Sequence, residues 1–128
     1  MIVLDTSALL AVLFDEREST RCKAALGANT EIAISGGTLA EALIVTGHRG
    51  GFEELIALVD ELGVVVEPVT GAMAAAVALA HTRWGKGVHP AGLNFGDCFA
   101  YALANELDCP LLFIGDDFEK TDVKAALA

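Results

Sequence analysis

The 128-residue sequence predicts an α/β fold in which a parallel sheet of four or five strands lies between helices on both faces. Two features carry this prediction. Short apolar runs rich in Val, Ile and Leu recur along the chain, and segments of helical length separate them. Most of those segments open on a hydroxyl or Asn and close near a glycine. Strands with no polar face need cover on both sides, which is the condition of a parallel sheet. No repeat, linker or low-complexity tract breaks the pattern, and the length suits one domain over residues 1–128.

The β-branched run at residues 2–4 is the first strand, and Asp5 ends it. Thr6 or Ser7 then opens a helix reaching Phe14, with Asp5 itself a candidate cap. A second helix covers about 19–26 and closes at Gly27. Residues 31–35 form the second strand. Ser35 or Thr38 caps a helix to about Thr46, with Gly47 and the Gly50-Gly51 pair as punctuation. An amphipathic helix over 52–62 stops at Gly63, and residues 64–69 make the third strand. Thr70 caps a long Ala-rich helix to about Trp84. Residues 85–92 are a loop with Gly85, Gly87, Pro90 and Gly92. Asn94 opens the next helix, in which Asp97 sits where a capping acid would reach back. The fourth strand covers 111–114, and Gly115 to Phe118 turns away from it.

The composition restricts what such a fold could do. The net charge is −10 with eight Lys and Arg, which argues against a broad basic face that binds nucleic acid by counterion release. It leaves room for a divalent metal, a basic protein partner, or plain solubility. The hydrophobic share is 54%, yet the longest helix-like stretch without a charged residue, 68–82, is shorter than a membrane span and contains Pro, Gly, His and two Thr. The start lacks a basic n-region and carries Asp5 inside its apolar run, so it is not read as a signal peptide and a cytoplasmic location is expected. Cys22, Cys98 and Cys109 form no CxxC pair, which fits a reducing compartment rather than a zinc site. His48, His81 and His89 lack ligand spacing.

Acids in four segments draw attention by position. In parallel sheets ligands bind outside the carboxyl ends of the strands. Asp5 follows the first strand, and Asp116 and Asp117 follow the fourth. Glu41 is the lone charge in SGGTLAEALIVTG, and Asp97 is the lone charge in the first turn of its helix. Separate segments thus bring carboxylates to one edge. Each has a plain alternative: a helix cap for Asp5 and Asp97, a solvated helix face for Glu41, an Asx turn for Asp116 and Asp117. Two carboxylates at roughly 5 Å repel by about 3 kcal/mol at an effective dielectric of about 20, so a cluster must take up protons or cations. Oxygen-only ligands favour Mg²⁺, with Mn²⁺ able to substitute. A carboxylate-held divalent ion is suited to phosphodiester hydrolysis. The alternative is a non-catalytic acidic binding module or a receiver-like domain. The latter would need its acidic pair after the first strand and a lysine after the last, whereas here the pair follows the last predicted strand.

MIVLDTSAL at the start, the isolated Glu41, AGLNFGDCFAYALA and the closing PLLFIGDDFEKTD together resemble the PIN-domain ribonucleases of the VapC toxin type, over essentially the whole chain. The resemblance implies a PIN-like fold and an Mg²⁺-dependent endoribonuclease. It implies metal-site acids at Asp5, Asp97 and Asp117, Glu41 as the further catalytic acid, and Asp116 as second choice to Asp117. Gly115 breaks the strand register, so alternation does not decide between those two. Thr6 or Ser7 looks like the small hydroxyl that steadies the first Asp. Arg83, Lys86 and His89, flanking the Gly-rich loop, are candidate RNA contacts. The implied partners are an RNA substrate, a cognate VapB-type antitoxin and a second copy in a homodimer, with no membrane. The Ala-rich tail TDVKAALA leaves room for only a short fifth edge strand, or none.

Overall fold

The structure, a computed structural model, describes residues 1–127. Its four strands are β1 (Ile2–Leu4), β2 (Ile32–Ser35), β3 (Val65–Glu67) and β4 (Leu111–Leu112). All pair in parallel, in the order β3-β2-β1-β4. The helices are α1 (Thr6–Leu13), α2 (Ser19–Gly27), α3 (Gly36–Arg49), α4 (Phe52–Glu61), α5 (Gly71–Trp84) and α6 (Phe95–Leu107).

Side-chain alternation along the strands builds two cores. Val3, Ala33 and Leu111 face α5 and α6, where they meet Val77, Ala80, Tyr101 and Leu103. Ile2, Leu4, Ile32, Ile34 and Leu112 face the other way and meet Leu9, Cys22, Ala42 and Leu55 from α1 to α4. The caps are Asp5, Ser35, Thr70 and Asn94, each accepting from a backbone amide in the first turn of its helix. Thr38 is buried inside α3 instead.

The structure corrects the sequence reading in several places. Gly47 lies within α3, which runs on to Arg49, whereas Gly27 closes α2 as its last residue. β4 is shorter than the apolar run suggests, because the chain leaves the sheet at Phe113. β3 is not covered on both faces: it is an edge strand, and Val65 and Val66 are exposed. As the Ala-rich tail implied, the fifth strand amounts to one parallel bridge, Leu111 to Ala125, beside β4.

This order puts a topological switch at β1. The chain passes from β1 to β2 on one side, while β4 returns to its other side. Crevices open at such points, outside the carboxyl ends of the strands. Asp5 is the first residue beyond β1 there.

Candidate active site

Asp5 is 3% exposed and caps α1. Its Oδ2 accepts from the Ser7 amide at 3.1 Å and from the Ser7 hydroxyl at 2.6 Å. The same hydroxyl accepts from the Ile114 amide at 3.0 Å. Ser7 therefore ties the segment after β4 to the carboxylate after β1. The other oxygen, Oδ1, is buried with no hydrogen-bond partner among the described residues. The Asp5 carboxyl is raised to about 6: burial raises it most, the Ser7 bonds lower it, and the charges of Asp97 and Glu41 raise it.

Glu41 stands in the second turn of α3, where its Oε1 accepts from the Thr6 hydroxyl at 2.6 Å. The resemblance offered Thr6 or Ser7 as the hydroxyl on Asp5. The structure divides the work, with Ser7 on Asp5 and Thr6 on Glu41.

Asp97 is at the third position of α6 and forms a capping box with Asn94. The Asn94 amide donates to its Oδ2 at 3.0 Å, and its own amide donates to Asn94 Oδ1 at 2.8 Å. The capping alternative is thus correct, and it leaves the acid facing the others. Burial raises its pKa, the Asn94 amide lowers it, and the charges of Glu41 and Asp117 raise it.

The chain beyond β4 turns at Gly115, whose φ is +103°, into a 3-10 turn over Phe118–Lys120. Asp117, just before that turn, is near enough for its charge to act on Asp97. Asp116 lines a separate depression with Glu18, Arg21 and Phe113. The structure therefore brings Asp5, Glu41 and Asp97 within electrostatic reach of one another and adds Asp117 beside Asp97.

The remaining sequence candidates, Arg83, Lys86 and His89, lie at the end of α5 and in the loop that follows it. Arg83 pairs with Asp122 at 3.5 Å and lies over the Trp84 ring. His89 stacks edge-on against Trp84, and its Nδ1 accepts from the Ala91 amide. Lys86 is exposed in the loop between α5 and α6. Sequence reasoning missed Gly96, which lies against the Glu41 carboxylate, and Phe95, which is 73% exposed beside it. Phe95 borders an apolar depression of about 330 Å³ that includes Glu41, Ile44 and Phe99. The signal for both was their place immediately before Asp97.

Two observations test whether this arrangement suits a cation. An orphaned carboxylate oxygen is buried at its centre, and no cation is among the influences on Asp5 or Asp97. The ion pairs Lys23–Asp15, Arg49–Glu16, Arg83–Asp122 and Lys124–Asp108 all lie elsewhere. The donor set is all oxygen, which fits a hard divalent ion. Among the described residues the acids do not close into a ready-made metal cage.

A family model described as PIN domain matches residues 2–124. Ribonuclease VapC of Mycolicibacterium smegmatis is 41% identical over 128 residues, covering 97% of this chain and 98% of that protein. Ribonuclease VapC30 of Mycobacterium tuberculosis is 40% identical over 125 residues, covering 95% of each. Among solved structures, Mycobacterium tuberculosis VapC20, a Sarcin-Ricin loop cleaving toxin, superposes with a TM-score of 0.77 at 18% identity over 96% of both chains. A toxin–antitoxin complex from Klebsiella pneumoniae gives 0.71 at 18% identity, covering 95% of this chain and 93% of that one. At those identities the structures speak for the fold, while the family model and the close relatives speak for descent. The chain belongs to the PIN domain family, among the VapC ribonucleases.

Proposed function

We propose that this protein is the toxin of a toxin–antitoxin pair, an endoribonuclease that hydrolyses RNA phosphodiester bonds with Mg²⁺, or Mn²⁺ in its place, at the edge of the sheet beyond β1. The observation that carries this reading is the buried Asp5, with its unpartnered Oδ1, facing Glu41 and Asp97. Its descent among ribonucleases supports the choice of RNA.

Asp5, Asp97 and Asp117 would hold the ion, directly or through water. A divalent ion there would offset phosphate charge and lower the pKa of bound water. The protein's own part is to fix the acids. Ser7 holds one oxygen of Asp5 and leaves the other unpartnered, while the Asn94 amide holds one oxygen of Asp97. Glu41, held by Thr6, orients the attacking water. With phosphate and cation both present, Asp5 works as a carboxylate despite its burial.

The acidic chain and its apolar grooves suit a basic, amphipathic antitoxin segment. One groove, between α1, α2 and α4, includes Val12, Leu26, Leu58 and Leu62. It lies about the length of α1, roughly 12 Å, from the acids, so about four extended residues would carry an arginine from a docked helix to Asp5 or Asp97. An arginine suits the task because it bonds carboxylates bidentately and keeps its charge when desolvated. Exposed Ile44, Leu79 and Phe95 supply apolar surface for a homodimer contact.

The direct test is cleavage of RNA by the purified protein. Cleavage should need Mg²⁺ or Mn²⁺ and be lost in Asp5→Asn and Asp97→Asn. Undiminished cleavage in excess EDTA would show that these acids do not work through a metal.

A further inference from the structure

We propose that Gly96 is a positioning residue: its missing side chain lets the Glu41 carboxylate rest on the first turn of α6, and so sets where that carboxylate meets the attacking water. The catalytic consequence rests on the nuclease reading above, while the contact itself stands on geometry alone.

Gly96 occupies the second position of α6, one residue before Asp97. Its backbone is not in the left-handed region, so conformational freedom does not explain a glycine here. Glycine is also a poor helix former, and alanine would serve the helix better. Space explains it. A Cβ built on Gly96 would lie 2.1 Å from Glu41 Oε2, 2.6 Å from Cδ and 2.9 Å from Oε1. On its other side the carboxylate is held by the Thr6 hydroxyl, 2.6 Å from Oε1. Glu41 is thus fixed between a buried hydroxyl on α1 and a bare α-carbon on α6. The amino end of α6 also favours a carboxylate lying against it.

Real Cβ contacts are essentially never below 3.0 Å, so a methyl group at Gly96 would push Oε2 back by about 1 Å or more. The obstacle is the end of a flexible side chain, so the fold accommodates the methyl and the carboxylate moves. Gly37 provides the contrast. There a Cβ would stand 2.3 to 2.6 Å from the Phe99 ring, including Cγ at its base, so a whole ring and not a side-chain tip would have to shift.

The test is a double-mutant cycle on Gly96→Ala, Glu41→Ala and the double variant. Cleavage of a transcript that the wild-type protein cuts is measured with Mg²⁺, and melting is measured in EDTA without metal. Gly96→Ala should lower kcat/KM by about 10²-fold in the wild-type background, as misplacement by about 1 Å implies. In the Glu41→Ala background it should cost less than twofold. Without metal, Gly96→Ala should leave the wild-type melting temperature unchanged or lower, yet raise that of Glu41→Ala, where alanine brings only its helix propensity. If Glu41→Ala is too slow to assay, the melting cycle decides. Equal effects of Gly96→Ala in both backgrounds, or near-normal cleavage by Gly96→Ala alone, would overturn the proposal. Normal cleavage by Glu41→Ala would instead overturn the catalytic assignment of Glu41, and with it the consequence drawn for Gly96.

Discussion

Asp5→Asn should lose nuclease activity while removing a pH-dependent weakness from the metal-free fold. Burial holds the Asp5 carboxyl at about 6 against an ordinary 3.8. The folded state therefore binds this proton more tightly than the unfolded state. The stability it confers is fully present below pH 3.8 and is lost as pH rises to about 6. Over that window the loss amounts to about 3 kcal/mol at 1.36 kcal/mol per pKa unit. Asparagine keeps an oxygen for the Ser7 amide, but its NH₂ would occupy the place of the unpartnered Oδ1, at a cost of about 1–3 kcal/mol. That cost does not depend on pH, so the informative quantity is the wild-type-minus-variant difference followed against pH. Urea unfolding in EDTA should show this difference moving against the wild type by roughly 2–3 kcal/mol between pH 4 and pH 7. A flat difference, or one that moves in favour of the wild type as pH rises, would mean that Asp5 is not a destabilised buried carboxylate.

Asp97→Asn should abolish cleavage yet leave metal-free stability unchanged or higher, because it relieves repulsion from Glu41 and Asp117 and keeps a polar group in the capping box; a loss of several kcal/mol in urea unfolding would reduce Asp97 to a cap. Ser7→Ala strands the Ile114 amide and leaves Asp5 Oδ2 only the backbone amide of residue 7, and should cost about 1–3 kcal/mol and lower kcat by roughly 10–100-fold, measured by unfolding and single-turnover cleavage. Gly37→Ala forces the Phe99 ring to move and should destabilise by about 1–3 kcal/mol in urea, unlike Gly96→Ala.

Much of the scaffold was readable from the sequence because its signals are local. Ser35, Thr70 and Asn94 announce their helices, and the apolar runs at β1, β2 and β4 can only be buried. The convergence of acids followed from one rule, that parallel strands deliver their carboxyl ends to a common edge. What stayed hidden depends on packing between distant segments. Val65 and Val66 look like core residues, and only the strand order exposes them. Thr6 and Ser7 are adjacent and both bear hydroxyls, so which acid each serves is decided by how α3 crosses α1. Asp116 and Asp117 part company through the turn at Gly115. The pairing of Arg83 with Asp122 likewise depends on where the tail returns to the fold. For Asp97, cap and site acid were posed as alternatives, but the capping box engages the carboxylate through Oδ2, and the same side chain serves both purposes.

The chemistry of the cut ends tests the central claim most directly. Water attack supported by a divalent ion at a carboxylate site leaves 5′-phosphate and 3′-hydroxyl ends, whereas attack by the neighbouring 2′-hydroxyl leaves a 2′,3′-cyclic phosphate. Mass spectrometry of fragments produced by the purified protein with Mg²⁺ should find 5′-phosphate and 3′-hydroxyl termini that disappear with Asp97→Asn. Cyclic phosphate ends, or the same fragments from the Asp97→Asn protein, would contradict hydrolysis at these acids.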